Sequence, residues 1–123
     1  DHVGVEARKN SALLIIQKIK EIVGDQPAVL TGDFNVSDQW DAYTTITTNP
    51  FVLKDAYKIA EKQEGVNYTF HDFGHVPADK REKIDFIFVT PQIKVKKTLI
   101  PQESQGETGF LSDHNPQLAT LEF

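Results

Sequence analysis

Residues 28–35 read Ala28-Val29-Leu30-Thr31-Gly32-Asp33-Phe34-Asn35, a short apolar run that passes through a glycine into a carboxylate and an amide. The run fits a strand buried on both faces, entered from Pro27 and left at Gly32. Upstream, over residues 6–23, Ala12, Leu13, Ile15, Ile16, Ile19, Ile22 and Val23 recur at helical spacing. Arg8, Lys9, Gln17, Lys18, Lys20 and Glu21 take the other face, so the pattern predicts an amphipathic helix that Gly24 stops. Helix, short loop and buried strand in that order indicate a layered α/β fold.

Further along, Trp40, Tyr43 and Ile46 share one face of a predicted helix over residues 38–46, with Ser37 as its N-cap. Residues 51–59 fit either helix or extended chain, with 52–56 resembling a short helical segment. The aromatic and β-branched content of residues 67–70 predicts a strand, and residues 72–82 a loop. Residues 84–90 read as a central strand stopped by Pro91, residues 93–100 as a strand beside it, 101–109 as a polar loop and 117–123 as a closing strand. No linker divides the chain, so residues 1–123 are read as one portion of a single domain.

The apolar fraction of 39% and charged fraction of 25% are those of an ordinary globular chain, which argues against disorder. No apolar run approaches the ~20 residues that span a bilayer. The absence of cysteine excludes a disulfide or a thiolate metal site and leaves the compartment open. A net charge of −5 opposes a module that grips nucleic acid through its phosphates. Lys80-Arg81-Glu82-Lys83 and Lys94-Val95-Lys96-Lys97 still leave room for a local basic rim. The start at Asp1-His2-Val3-Gly4, with no methionine, reads as that of a processed or excised piece.

Asp33 and Asn35 lie just past the end of the first strand, where α/β folds place catalytic groups. The plain alternative is an Asx turn in which both side chains bond only their own backbone. Asp85 opens an otherwise apolar strand, so its carboxylate needs a partner; Arg81 and Lys83 would serve as a structural ion pair. Asp113 and His114 stand between a glycine-containing loop and Asn115-Pro116, which forces an extended start to the last strand. His71 and His75 are four apart, but Gly74 and Pro77 exclude a helical metal pair, so both read as solvent or substrate-rim residues.

In this order and with these flanks, Thr31-Gly32-Asp33-Phe34-Asn35, Ile84-Asp85-Phe86-Ile87-Phe88 and Ser112-Asp113-His114 resemble the endonuclease/exonuclease/phosphatase superfamily. These are metal-dependent phosphoesterases that include deoxyribonuclease I and the apurinic endonucleases. The resemblance implies a four-layer α/β sandwich of two mixed sheets with flanking helices, of which this chain is the second half. It implies that Asp33 orients and deprotonates the attacking water and that Asn35 holds it or stabilises the transition state. Asp85 would accept a hydrogen bond from His114, raising the histidine pKa and leaving its other nitrogen for a phosphate oxygen.

Asp113 and Asp33 would hold the divalent ion, Mg²⁺ or Mn²⁺ by the preference of oxygen ligands. Asp1-His2 matches the end of a His-x-Asp-like segment of the superfamily, so His2 and Arg8 would line the site edge. Tyr68, Phe70 and Phe73, with His71, would wall the substrate pocket. The superfamily's first-half Asn and metal-binding Glu have no counterpart here. The expectation is therefore a divalent-metal-dependent phosphoester hydrolase, phosphodiesterase/nuclease or phosphatase, as the longer protein. Its substrate would be a phosphate ester such as a nucleic acid, a phospholipid headgroup or a small ester. This piece alone would be weak or inactive, and would self-associate through an exposed sheet face. The alternative is a non-catalytic binding module that retains the fold.

Overall fold

The structure is a computed structural model that describes residues 2–48, 53–102 and 109–123. Helix α1 (His2–Val23) buries Ala12 and Ile16 and leaves Leu13, Leu14 and Ile22 exposed. Gly24 ends it as expected, with a φ of 57° and its amide on the Lys20 carbonyl at 3.0 Å.

Strand β1 (Val29–Asp33) follows, then α2 (Asp41–Thr48), β2 (Lys54–Asp55), α3 (Ala56–Ile59) and β3 (Lys62–Gly65). A 3₁₀ turn at Ala78–Lys80 leads to β4 (Asp85–Val89), β5 (Lys94–Ile100) and β6 (Leu118–Glu122). The strands form two sheets, ordered β1-β4-β2 and β3-β5-β6. The first is antiparallel throughout; the second is mixed, because β3 runs parallel to β5 and β6 antiparallel.

Strand β4 organises the packing through its two-residue side-chain period. Phe86 and Phe88 point into a core with Ala12, Ile16, Tyr43, Ile46 and Leu53, so α1 and α2 cover that face. Phe34 meets both rings edge-on, at centroid distances of 5.9 and 5.4 Å. Full burial of such side chains contributes about 1.5–3 kcal/mol each. Ile87 and Val89 face the other way, onto Ala56, Ile93 and Val95, with Leu121 packed alongside. The order is thus helices, first sheet, second sheet. Asp85 shares the inter-sheet face with Ile87 and Val89, at the open end of the strand.

Several elements differ from expectation. The strand expected over residues 28–31 forms as Val29–Asp33, but as an edge strand: β1 pairs only with β4, and Val29 is 41% exposed instead of buried on both faces. Strand β5 does not lie beside β4, because the turn through Pro91 and Gln92, closed by Ile93 N–H on the Thr90 carbonyl, carries the chain into the other sheet. Helix α2 begins at Asp41, and Ser37 closes a turn before it by accepting the Gln39 N–H at 3.4 Å. In place of a helical segment near residue 54 stand β2 and then α3, whose N-cap is Asp55 through the Tyr57 N–H at 3.0 Å. Residues 49–52 and 103–108 lie outside the described residues.

Residues 67–70 form no ladder beyond a single bridge between Phe70 and His114. Their amides turn instead to neighbouring segments: Thr69 and Phe70 N–H both reach the Glu82 carbonyl at 3.1 Å.

Candidate active site

Asp33 ends β1, and its Oδ1 accepts the Asn35 N–H at 2.9 Å, with Asn35 in the left-handed region at φ 55°. The Asx turn is therefore present, yet it uses one oxygen only. In the β1–β4 register Asp33 stands directly opposite Asp85, which puts both carboxylates on the same face of the sheet. His114 comes to them from the far end of the chain. Its N–H is held by Ser112 Oγ at 3.1 Å, and its backbone bridges Phe70.

The imidazole contacts both carboxylates. Nδ1 lies 2.7 Å from Asp85 Oδ2, while Nε2 lies 3.7 Å from Asp33 Oδ2 and 4.0 Å from Asp113 Oδ1. Burial would lower the His114 pKa, but the Asp85 hydrogen bond and the charges of Asp85, Asp33 and Asp113 outweigh it and leave the pKa raised. The protonated ring donates at both nitrogens, so Asp85 holds Nδ1–H and Nε2–H is free to turn to an incoming oxygen. The expected alternatives for Asp85 are not realised. Arg81 reaches the Tyr68 hydroxyl and the Val76 carbonyl, both at 2.9 Å, and Lys83 Nζ donates to the Asp85 backbone oxygen at 2.7 Å.

Ligand atoms of Asp33, Asp85 and His114 lie within 4.8 Å of one another, close enough to surround a cation. The donor chemistry narrows that set, because Asp85 and His114 are already joined at 2.7 Å. Within that set the donor left for an ion is a carboxylate oxygen of Asp33, a ligand type that suits a hard divalent cation, and Asp113 stands outside the set with its Oδ1 4.0 Å from His114 Nε2.

Of the predicted wall residues, Phe70 sits on the site, its ring 5.1 Å from that of His114. Arg8 lies over Trp40 at 6.0 Å and lines a cavity of about 370 Å³ together with Gly32, Asp33 and Phe34. Tyr68 is one step removed, under Arg81. The side chain of His2 lies outside the described residues. His71 is a correction: it is 1% exposed rather than on the rim, with its ring 4.7 Å from Phe110 and its Nδ1 accepting the Gly74 N–H at 3.3 Å. The left-handed run Asp72, Phe73 and Gly74 turns the loop back over it, leaving Phe73 half exposed and His75 at the surface.

Thr69 escaped the sequence reading, and Lys83 takes a place other than the ion pair expected of it. Thr69 is fully buried between the segments that carry Asp85 and His114. Lys83 is half-buried, its ammonium 3.7 Å from the Phe86 ring, beside a second cavity of about 400 Å³ shared with Asp38, Asp55 and Lys58. The other basic residues give little free rim: Lys94 pairs with Glu61, Lys96 with Glu122 and Lys97 with Glu64, at 3.3, 3.4 and 2.8 Å.

The model of the endonuclease/exonuclease/phosphatase family matches residues 7–114, a span that runs from within α1 through His114. The chain belongs to this family. Among solved structures, it is 68% identical to an endonuclease/exonuclease/phosphatase from Bacteroides vulgatus, with a TM-score of 0.91 over 99% of this chain and 46% of that one. It is 32% identical to a mannosyl-6-phosphatase of Bacteroides thetaiotaomicron, with a TM-score of 0.80 over 100% of this chain and 48% of that one. A further family protein from the same species is also 32% identical, with a TM-score of 0.78 over 98% of this chain and 45% of that one. None of the curated proteins matches significantly. The chain thus spans about half the length of these relatives and shares their two-sheet α/β fold with flanking helices.

Proposed function

We propose that the longer protein to which these residues correspond is a divalent-metal-dependent phosphoester hydrolase, and that it acts on a phosphomonoester of a small polar alcohol such as a sugar. The observation that carries this reading is His114 held by Asp85 at 2.7 Å while its other nitrogen faces Asp33. Family membership supports hydrolysis of a phosphate ester. The mannosyl-6-phosphatase relative and the acidic net charge of −5 favour a small monoester over duplex nucleic acid.

In this mechanism Asp33 accepts the proton of the attacking water and Asn35 hydrogen-bonds the same water or a phosphoryl oxygen. His114 donates through Nε2 to an oxygen on which charge develops, and Asp85 fixes the ring and stabilises its protonated form. Asp113 and Asp33 would hold Mg²⁺ or Mn²⁺. When bound, such an ion neutralises phosphoryl charge and acidifies water. Phe70 limits the freedom of the His114 ring, and Arg8 and Phe73 border the approach.

The test is hydrolysis by the full-length protein of mannose 6-phosphate, p-nitrophenyl phosphate and bis-p-nitrophenyl phosphate, each with Mg²⁺, Mn²⁺ or EDTA. The proposal expects EDTA-sensitive turnover with the monoesters preferred. Preference for the diester would move the substrate to the phosphodiesterase class. No turnover of any ester would favour the binding-module reading.

A further inference from the structure

The segment after β3 carries a residue to which the proposed chemistry assigns no role. Thr69 is 0% exposed, and its hydroxyl and main chain bond the backbone segments that carry Asp85 and His114. Its Oγ1 accepts two backbone amides, Ile84 N–H at 3.0 Å and Asp85 N–H at 3.2 Å. Its carbonyl accepts the Asn115 N–H at 2.6 Å, one residue past His114, and its own N–H donates to the Glu82 carbonyl at 3.1 Å. On either side, Asn115 Nδ2 reaches the Tyr68 carbonyl at 3.4 Å, and the amides of His71 and Asp72 reach the Asp113 carbonyl at 3.0 and 3.2 Å.

Asp85 and His114 come from elements with no ladder between them: β4 belongs to one sheet, and the 112–115 stretch leads into β6 of the other. Their 2.7 Å contact therefore depends on whatever ties the two backbones together. Thr69 does this through one residue, its side chain gripping one partner's backbone and its main chain the backbone beside the other.

We propose that Thr69 is a positioning residue that sets the Asp85–His114 contact through its buried hydroxyl. The assignment rests on the hydrolase reading for its consequence in turnover, and on the geometry alone for its effect on the imidazole. A hydroxyl suits the role because it accepts two amides in a space that a β-branched side chain fills. Valine matches that shape and removes the acceptor; serine keeps the acceptor and removes a methyl.

The experiment compares Thr69→Val and Thr69→Ser in the full-length protein by steady-state kinetics on p-nitrophenyl phosphate with Mg²⁺. It also follows, by proton NMR of the metal-free protein, the downfield imidazole N–H signal that His114→Gln abolishes. The expected result for Thr69→Val is a kcat lowered by about 10- to 100-fold with KM changed by no more than about twofold, as for a small misplacement at a reacting centre. The downfield signal is lost or moved in the same variant, and Thr69→Ser restores both.

Wild-type kcat and an unmoved signal in Thr69→Val overturn the proposal. So does a Thr69→Ser protein as impaired as Thr69→Val, since that makes packing the cause. If Thr69→Val does not fold, Thr69→Cys, a weaker acceptor of similar volume, replaces it with the same readouts. If the wild type hydrolyses no ester, the hydrolase reading falls and the NMR signal alone decides the role of Thr69.

Discussion

Asp33 and Asp85 face each other as a directly paired position of the β1–β4 ladder, and the His114 ring lies against both, 2.7 Å from one and 3.7 Å from the other. Like charges opposite one another across a ladder destabilise a sheet, typically by a few tenths of a kcal/mol up to about 1. A protonated imidazole next to both offsets that repulsion, which explains in one arrangement why two carboxylates are tolerated and why His114 holds its proton more firmly.

Asp85→Asn removes one of the opposed charges and replaces the charged acceptor of Nδ1–H with a neutral, weaker one. The change in folding stability should stay within about 1 kcal/mol, since relieved repulsion compensates the weaker hydrogen bond. Turnover of the full-length protein should fall by about 10²- to 10⁴-fold, the range for a displaced general acid. Denaturant unfolding and kcat measured on the same preparation separate the two effects.

The arrangement shows what a sequence can and cannot disclose. Asp33, Asp85 and His114 were each legible from their place beside an apolar strand, and α1, β4 and β6 from periodicity. Their meeting was not, because it depends on strand register, on Asp33 pairing with Asp85 and not with a neighbour, which no local pattern encodes. Residues 67–70 look like a strand by composition, but Thr69 and Phe70 spend their amides on the Glu82 carbonyl, so propensity misnamed the stretch and hid Thr69. His71 looked like a rim residue because histidine is polar; its burial follows from the turn at residues 72–74, which brings Phe110 over it.

The raised pKa of His114 gives a signed pH dependence in the metal-free protein. A group bound more tightly to its proton in the folded state stabilises fully below its unfolded pKa, near 6.5, and loses that contribution as pH rises through the folded value. With EDTA present, wild type should melt above His114→Gln by a margin on the order of 3 °C larger at pH 5.5 than at pH 8.5. A margin that grows with pH would contradict the arrangement.

Lys83 predicts the opposite trend. Burial pushes its ammonium down to about 8, against the opposing pull of Asp55, Asp85 and Asp38. Between about 8 and the ordinary 10.5 the unfolded chain binds more protons, so this residue makes stability rise with pH across that window. Lys83→Met should therefore stabilise the protein at pH 7, by about 1 kcal/mol, and lose that advantage by pH 10. Thermal unfolding of both proteins at the two pH values checks it.

Gly65 closes β3 at φ 85°, paired with Ile100. A Cβ there would collide with the Ile100 carbonyl oxygen, which also accepts the Val66 N–H at 2.9 Å. Gly65→Ala should cost about 2–3 kcal/mol by denaturant unfolding, from the backbone conformation and the displaced partner together.

The most direct test of the central claim is the kcat of full-length Asp33→Asn and His114→Ala on p-nitrophenyl phosphate with Mg²⁺, beside circular dichroism spectra of both. The account predicts turnover lowered by about 10²-fold or more in each, with spectra matching wild type. Wild-type turnover in either variant would contradict it.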